Sequence, residues 1–285
     1  EVENLQPIAR QVSVDLNLEG KKVTQEVSLA PKERKTVVFT PDVHKTLELK
    51  SPRLWWPNNY GRQELYTMDV VVAEKGVSSD SKKVRFGVRE LSYELEVCFP
   101  DDSIRRVEYR PTVMGQGEPI FDNINRKYIE GGMCMPRLKK SVSSDILVPA
   151  PDKAMQHYMV IKVNGKRIFC KGGNWGMDDA MKRVSREHLE PYFRLHKEAN
   201  FNMIRNWTGE STEENFYELC DEYGMLVFND FCLSTQGYNM PINDDNLFLR
   251  NAEDVVVRFR NHPSIAVWNP RNEGFAPVYI EEHLA

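Results

Sequence analysis

The sequence predicts a multidomain protein in which an all-β region precedes an α/β region. From Arg10 to about Arg89, short segments alternate apolar and polar residues, and this period of two indicates half-buried strands. From His157 onwards, short apolar runs typical of buried strands alternate with helical apolar stripes. Such an order predicts parallel βαβ units. Polar and aromatic residues follow each of these later strands, so the functional site is expected in the second region.

The composition excludes several classes of partner. The 285 residues carry a formal net charge of −4, which argues against electrostatic binding to nucleic acid or to an anionic membrane. No apolar run reaches the roughly 20 residues of a membrane span, and the first residues lack the basic start and apolar core of a signal peptide. We therefore expect no nucleic acid and no membrane as partners. The compartment stays open between the cytoplasm and a periplasmic or secreted location.

The cysteine and histidine patterns predict neither a metal site nor a disulfide framework. The cysteines are odd in number, far apart and without Cys-x-x-Cys spacing. The chain also lacks the glycine-rich loops G-x-G-x-x-G and G-x-x-x-x-G-K that bind nucleotides. We therefore expect no metal and no cofactor. The five cysteines, expected to be buried thiols, are Cys98, Cys134, Cys170, Cys220 and Cys232.

The first region has the strand spacing of a β-sandwich. Turn residues such as Gly20, Pro31 and Pro41 separate its alternating segments, and several short strands at this spacing predict a sandwich. The expected strands cover residues 12–18, 23–29, 36–39, 46–49, 65–72 and 82–86.

A turn-rich loop within this region, residues 52–61, carries Trp55, Trp56 and Tyr60. Two interpretations are open. The rings could stack on a sugar, or they could form a hydrophobic plug between the sandwich and its neighbour. We favour the plug, because tryptophan is highly buried on average.

The pattern weakens between about residues 90 and 156. Two strands are expected, Leu91–Phe99 and Ile104–Tyr109, before a long stretch rich in Gly, Met and Pro. A structureless loop of that length is uncommon in a compact domain, so we expect a connecting or inserted segment. Its basic cluster is expected to be a solvated face and consists of Arg137, Lys139 and Lys140. The predicted domains are therefore 1–89, 90–156 and 157–285.

The α/β region opens with a hairpin and continues with alternating helices and strands. Asn164-Gly165 is a strong hairpin signal, because both residues accept the positive φ of a type I′ turn. A helix is expected to start near Pro191, since proline is tolerated in a first turn. A second helix is expected to follow the capping box Ser211-Thr-Glu-Glu214 and to end at Gly224. The hairpin strands are placed at residues 159–163 and 167–171, the later strands at 201–207, 225–230 and 265–268, and a further helix at 245–261.

Two architectures contain such parallel units, a doubly wound sheet and a (β/α)8 barrel. A doubly wound sheet that binds a nucleotide has a glycine-rich loop after its first strand. Gly172-Gly173 lacks that spacing, so the barrel is favoured.

Each predicted strand of this region ends in side chains that a sugar could use. In a barrel the strand ends meet on one face around one pocket, where tryptophans would present flat apolar faces and amides or carboxylates would bind hydroxyls. Core packing is the alternative for each tryptophan. Asn206-Trp207-Thr208 is also a glycosylation sequon, but we favour a pocket role for Asn206. The strand-end residues are Asn174, Trp175, Asp179, Arg205, Asn206, Trp207, Asn229, Asp230, Trp268, Asn272 and Glu273.

Several motifs together resemble those of glycoside hydrolase family 2. They are LWWPNNYGRQELY, RFGVRE, GGNWGMDD, NMIRNWTGES, FYELCDEYGMLVFNDF and RFRNHPSIAVWNPRNEG. They cover nearly the whole chain, and they are most similar to the branch of β-mannosidases, endo-β-mannosidases and exo-β-glucosaminidases. The resemblance implies an immunoglobulin-like β-sandwich followed by the N-terminal half of a (β/α)8 TIM barrel. It also implies hydrolysis of β-linked oligosaccharides or polysaccharides with retention of configuration.

The resemblance further implies roles for strand-end residues. Glu273 matches the general acid/base, and Asn272 matches the neighbour that holds the substrate 2-hydroxyl. Arg205 and Trp207 match positions beside the pocket. Three more residues, which match a motif that contacts the non-reducing sugar, are Asn174, Trp175 and Asp179.

The sequence also departs from the family. Residues 157–285 make up about half of the ~250 residues of a full barrel, and the family's nucleophile follows a later strand. We therefore expect a fragment that is inactive alone. Pro270 stands where glycine is more common, and Gly176-Met177 stands where β-mannosidases often have Ile-Pro, which leaves the sugar open.

Two alternatives remain at this stage. One is a non-catalytic carbohydrate-binding or scaffolding chain that pairs with the remaining half of the barrel or forms a homo-oligomer, because an open sheet edge invites association. The other is a different family 2 activity, such as that of a β-galactosidase or a β-glucuronidase.

Overall fold

The computed structural model describes residues 1–114, 120–128, 134–139, 146–148, 159–176, 181–233, 245–272 and 278–284. The chain divides into two compact units. The first comprises Glu1–Leu54 and Glu64–Val88, and the second comprises Trp55–Gln63 and Arg89–Ala285. Among the described residues, no helix is both long enough and apolar enough to cross a membrane.

The first unit is built on an antiparallel sheet with the order β3-β2-β5-β6, beside a short β1–β4 pair. Strand alternation explains its core, because every second residue of β2 points to the same face. Val12, Val14, Leu16 and Leu18 are all buried on that face. The strands are β1 (Val2–Glu3), β2 (Arg10–Leu18), β3 (Lys21–Leu29), β4 (Arg34–Lys35), β5 (Tyr66–Glu74) and β6 (Val77–Phe86).

The predictions of two strands in this unit are wrong. Residues 36–39 have no strand assignment, and residues 46–49 overlap a short 3-10 helix, Lys45–Leu47. Val37 and Phe39 nevertheless pack on the buried valines of β2 and β3. Their apolar alternation therefore reflects contact with the core, while their backbone lies outside the ladder.

The second unit contains a mixed sheet with the order β12-β11-β7-β10-β9, in which β8 also pairs with β7. The Asn164-Gly165 turn is confirmed, since both residues have positive φ, +49° and +77°. Its hairpin pairs with β7, so it belongs to this sheet. The elements are β7 (Leu91–Cys98), β8 (Ile104–Tyr109), α1 (Pro111–Met114), β9 (Phe121–Tyr128), β10 (Cys134–Leu138), β11 (Val160–Val163) and β12 (Lys166–Arg167).

The connecting segment is thus more ordered than the sequence suggests. Strands β9 and β10 were not expected, because polar residues interrupt their apolar pattern. The prediction that the basic cluster is a solvated face is only partly correct. Arg137 donates to Asp102 at 2.6 Å and to the Cys98 thiol at 3.2 Å, whereas Lys139 is exposed and Lys140 lies outside the described residues.

A parallel sheet with the order β13-β14-β15-β16 follows. Each strand pairs with the next one in sequence, as in a barrel, whereas a doubly wound sheet reverses its order part-way. The elements are β13 (Gly172–Trp175), α2 (Arg186–Glu198), β14 (Met203–Asn206), α3 (Glu214–Tyr223), β15 (Leu226–Asp230), α4 (Asp245–Phe259), β16 (Ile265–Asn269) and α5 (Val278–Leu284).

Two predicted helix starts are wrong. Helix α2 begins at Arg186, where Ser185 caps it by accepting from the backbone N–H of His188, and Pro191 lies inside the helix. Helix α3 begins at Glu214 with no side-chain cap. Ser211 does not cap it, because its hydroxyl accepts the indole N–H of Trp175. The predicted stop is confirmed, since Gly224 is left-handed with φ +74°.

The Trp55–Gln63 loop is packed into the second unit. The Trp55 side chain is 0% exposed, and its Nε1 donates to the Asp221 carbonyl at 2.8 Å. Asn58 donates to the carbonyls of Lys197 and Phe201, and its own N–H reaches the Gly224 carbonyl. Trp55 is therefore packed inside the second unit and offers no face to a sugar.

Side chains also hold the N-terminal end of β16. Arg89 donates to the carbonyls of Pro263 and Ile265, and the Tyr93 hydroxyl donates to Ala266. Burial raises the pKa of Tyr93 to about 12, so this hydroxyl remains a donor at neutral pH.

The expectation of buried cysteines is wrong for two residues. Cys98 and Cys220 are buried, but Cys170 and Cys232 are exposed. The strand predicted at residues 167–171 is wrong beyond Arg167, since β13 begins at Gly172. Cys170 lies in this stretch outside the strands, and Cys232 follows β15. Burial raises the pKa of the Cys220 thiol well above its ordinary value.

Candidate functional site

The parallel register brings the C-terminal ends of β13 to β16 together. Asn174 pairs with Arg205, and Arg205 pairs with Phe228. On the next strand, Asp230 pairs with Asn269. Because side chains alternate between faces along a strand, Asn174, Arg205 and Asp230 lie on one face of the sheet. Trp175 and Asn206 lie on the other, against the helices.

Asp230 is the centre of the first face. Its side chain is 0% exposed and forms an ion pair with Arg205 at 2.8 Å. The Nε of Arg205 adds a second, parallel bond to Oδ1 at 3.1 Å. The Thr208 backbone N–H donates to Oδ2 at 3.0 Å, and the Asn269 side chain donates to Oδ1 at 2.8 Å. One carboxylate therefore joins the ends of β14, β15 and β16.

Arg205 extends this cluster to the segment that follows β16. Its Nη2 also donates to Oδ1 of Asn272 at 2.9 Å, and its guanidinium lies 5.5 Å from the centre of the Phe228 ring. The Arg205 side chain is 29% exposed, so its outer edge reaches solvent while its partner is buried. Asn272 precedes Glu273, which lies outside the described residues.

Trp175 faces the helices. Its ring contacts Phe193 on α2 and Phe216 on α3, with centroids 5.1 and 5.5 Å away. Its Nε1 donates to the Ser211 hydroxyl at 3.1 Å. Core packing is thus the main role of this tryptophan in the described part of the chain.

The predicted pocket role of Asn206 is wrong. Asn206 is buried, and its amide donates to the Ser211 carbonyl and to Oδ1 of Asn229, both at 2.9 Å. The Tyr217 hydroxyl donates to the same Asn229 oxygen at 2.8 Å. Asn206 and Asn229 therefore form a buried polar network between the sheet and α3. This burial also shields the sequon amide from glycosylation.

The other predicted site residues are spread around this end of the sheet. Asn174 is exposed, and Trp207 begins a short 3-10 helix, Trp207–Gly209. Trp268 stacks on Phe231 with ring centroids 5.6 Å apart. Asp179 lies outside the described residues, as Glu273 does. Within the described ranges, no group of three or more His, Cys, Asp or Glu side chains forms a candidate metal site.

Sequence reasoning missed several residues that shape the site. Asn269 and Thr208 complete the environment of Asp230; an amide at the end of a predicted strand was the available signal for Asn269. Glu213 lines a cavity of about 200 Å³ beside Asn174 and Trp175. Burial raises the pKa of its carboxyl, although backbone and Ser211 hydrogen bonds oppose this. The Ser-Thr-Glu-Glu motif had indicated a helix cap instead.

Comparisons with known proteins give a consistent result. Residues 1–89 match the family model described as "Glycosyl hydrolases family 2", and residues 155–285 match "Glycosyl hydrolases family 2, TIM barrel domain". A mannosylglycoprotein endo-beta-mannosidase from Lilium longiflorum is 28% identical over 97% of this chain. Beta-mannosidase B of Thermothelomyces thermophilus is 28% identical over 94% of it. This chain covers 24% and 25% of those two proteins.

Solved structures show the same similarity. The beta-D-mannosidase of Dictyoglomus thermophilum matches 93% of this chain with a TM-score of 0.57 and 27% identity. The exo-chitosanase of Amycolatopsis orientalis matches 99% with a TM-score of 0.65 and 21% identity, a likeness of fold alone. The chain covers 26% and 27% of these proteins. The predicted fold class, a sandwich followed by the N-terminal half of a TIM barrel, is confirmed.

Proposed function

The chain belongs to glycosyl hydrolase family 2, and from this premise we propose that it is part of a retaining β-glycosidase. The observation that supports this most is the convergence of Arg205, Asp230 and Asn272 at the C-terminal ends of three parallel strands. Barrel enzymes carry their chemistry at that end of the strands. The chain spans about a quarter of the length of the curated relatives it matches, so the activity of the whole protein is part of this proposal.

Glu273 is the general acid/base in this proposal. It follows Asn272 directly, four residues beyond the end of β16 at Asn269. It would protonate the leaving oxygen in the first step and activate water in the second. The nucleophile is a second carboxylate, which in a retaining enzyme lies about 5 to 5.5 Å from the first. We place it outside these 285 residues, so the isolated chain would be inactive.

The substrate is a β-linked sugar of the mannoside or glucosaminide type. The relatives named as mannosidases support the first sugar, and the second is kept because the sequence motifs also resemble those of exo-β-glucosaminidases. Asn272 would bind the 2-hydroxyl or its amino counterpart. The remaining proposed contacts to substrate are Asn174, Asp179, Arg205, Trp207 and Trp268, whereas Asp230 is 0% exposed and Trp175 packs against the helices, so neither is proposed as a direct contact.

The organisation proposed for the chain assigns residues 1–89 to the sandwich, 90–156 to an inserted segment and 157–285 to the barrel, although the β11–β12 hairpin at the start of the last region pairs with β7 of the preceding sheet. Among the described strands, β13 and β16 form the two edges of the parallel sheet, and Gly172, Gly173 and Asn174 on β13 are exposed. Exposed edges of this kind invite pairing. The expected partner is the remaining half of the barrel, with a homo-oligomer as the alternative.

The test is Glu273→Gln in a polypeptide that extends this chain through the rest of the barrel. Loss of acid catalysis should lower kcat/KM about 10²–10⁴-fold for a substrate with a poor leaving group. Aryl glycosides with very acidic leaving groups need little protonation, so their glycosylation step should suffer much less. Asp254→Asn, at an exposed position on α4, is the matched control and should change neither rate. Full activity of Glu273→Gln on the poor substrate would exclude Glu273 as the acid.

A further inference from the structure

We propose that Asp230 and Arg205 form a positioning device that fixes the orientation of the Asn272 side-chain amide. In this device Asp230 contacts protein groups, Arg205 transmits its position, and the side-chain oxygen of Asn272, a residue 3% exposed, accepts from Arg205. The orientation itself is a property of this chain. Its consequence for catalysis rests on the proposed glycosidase function.

The bonding capacity of Asp230 is used by the protein. A carboxylate offers about four lone-pair sites, and Asp230 accepts four hydrogen bonds. Oδ1 receives Nε of Arg205 and Nδ2 of Asn269, and Oδ2 receives Nη2 of Arg205 and the N–H of Thr208. With its side chain 0% exposed, Asp230 has neither the access nor the capacity to bind a sugar hydroxyl. This points to a positioning role.

The paired bonds fix the plane of the Arg205 guanidinium. A bidentate arginine–carboxylate pair adds geometric specificity as well as energy. The Phe228 ring, 5.5 Å from the guanidinium carbon, lies on the same sheet face. Arg205 therefore approaches Asn272 from one fixed direction.

The chemistry of arginine then decides which end of the Asn272 amide faces it. A guanidinium has only donors, so the atom 2.9 Å from Nη2 must be the amide oxygen, as found. The NH2 group consequently points away from Arg205. The backbone of Asn272 is held as well, since its N–H donates to the Leu233 carbonyl at 3.0 Å. Main chain and amide are therefore both oriented beside Glu273.

Asp230 also holds the chain after β14. Thr208, whose N–H it accepts, has φ +53°, an uncommon conformation for a β-branched residue. Gly209 follows with φ +63°, and a Cβ there would lie 2.7 Å from the Asp230 carbonyl oxygen. Removing the charge of Asp230 should loosen Thr208 and Arg205 together.

The first experiment needs no activity. In the ¹⁵N-labelled 285-residue chain, Arg205→Lys identifies the Arg205 Nε–H resonance by its loss. That proton should exchange with solvent at least about tenfold faster in Asp230→Asn, and the two Asn272 side-chain NH2 resonances should shift in both variants. Asp221→Asn is the matched control, because it removes a buried carboxylate that binds His262 and the Ser264 N–H instead. It should leave the Arg205 and Asn272 signals in place. Unchanged signals in folded Asp230→Asn would overturn the proposal.

The second experiment measures the catalytic consequence in the polypeptide extended through the barrel. Asp230→Asn should lower kcat on an aryl β-mannoside by about 10²-fold, the scale of a small misplacement in an active site. With the 2-deoxy analogue as substrate, kcat should fall by less than about threefold. In a chain that already carries Asn272→Ala, the further change Asp230→Asn should have no effect on kcat. Equal losses on both substrates would refute a role through Asn272. If the unmutated protein hydrolyses no glycoside, the proposed function fails, and the exchange experiment still decides the orientation.

Discussion

Replacing Trp55 by phenylalanine tests how strongly the loop at residues 55–63 is held within the second unit. Asp221 lies in the last turn of α3, so its carbonyl has no partner within the helix, and the Trp55 indole N–H supplies one at 2.8 Å. Leaving a buried carbonyl unsatisfied costs about 1–3 kcal/mol. The smaller ring also leaves a void worth about 1 kcal/mol. We therefore expect Trp55→Phe to lower the free energy of unfolding by about 2–4 kcal/mol.

The measurement is urea unfolding followed by far-ultraviolet circular dichroism, which avoids the change in tryptophan fluorescence. Trp56→Phe is the matched control, because Trp56 is the neighbouring residue of the same loop but is only half-buried. Its replacement should cost less than about 1 kcal/mol, within the range of substitutions outside the core. A loss below about 1 kcal/mol for Trp55→Phe, or equal losses for both variants, would refute the reasoning.

Two further predictions concern α3 and its neighbours. Gly224→Ala should lower the free energy of unfolding by more than about 2 kcal/mol, because the new Cβ would lie 2.6 Å from the backbone nitrogen of Asn58 and the left-handed conformation adds a strain of about 1–2 kcal/mol. The control is Gly165→Ala, which has open space around it and should cost only the strain. Equal costs of the two variants in urea unfolding would contradict this account. Burial lowers the pKa of His262, but the hydrogen bond and charge of Asp221 outweigh it, so the pKa is raised. The stabilisation by His262 is then fully present below its unfolded pKa of about 6.5 and is lost as the pH rises through the folded pKa. The difference in the free energy of unfolding between the unmutated chain and His262→Gln should therefore be larger at pH 6 than at pH 8.5. A difference that is constant or grows with pH would be inconsistent with the His262–Asp221 pair.

The third and fourth strands of the parallel sheet were predictable because their signals were strong locally, whereas the first was expected at residues 167–171 and lies at Gly172–Trp175. The runs at residues 225–230 and 265–268 are apolar and bounded by turn or helix signals, and the structure places β15 and β16 there. Gly224 and the Asn164-Gly165 turn were also predictable, because positive φ strongly favours those residue types. By contrast, residues 36–39 alternate like a strand but only pack on the core.

The site was predictable in its location more than in its internal geometry. Sequence order placed Arg205, Asp230 and Asn272 at strand ends, and the structure joins them by direct hydrogen bonds. The sequence could not tell which face of the sheet each residue occupies at a strand end. Neighbouring residues lie on opposite faces: Arg205 lies on one face, and Asn206 lies on the other, where its side-chain amide donates to Asn229.

Ser211 shows a second limit of local reasoning. The spacing to Glu214 is that of a capping box, yet the hydroxyl accepts from Trp175, which is distant in sequence. A long-range partner competed successfully with the local one. Capping signals near a strand end are therefore less informative where an unsatisfied indole or amide lies close by.

The most direct test of the glycosidase assignment is a comparison of hydrolysis by two proteins. The 285-residue chain and a polypeptide extended through the remaining barrel strands would each be assayed with p-nitrophenyl β-mannoside, β-glucosaminide and β-galactoside. We predict that only the longer protein hydrolyses one of the first two substrates, because the proposed function places the nucleophile outside this chain. Comparable hydrolysis by the 285-residue chain would contradict the placement of the second carboxylate, and inactivity of the longer protein on all three would contradict the assignment itself.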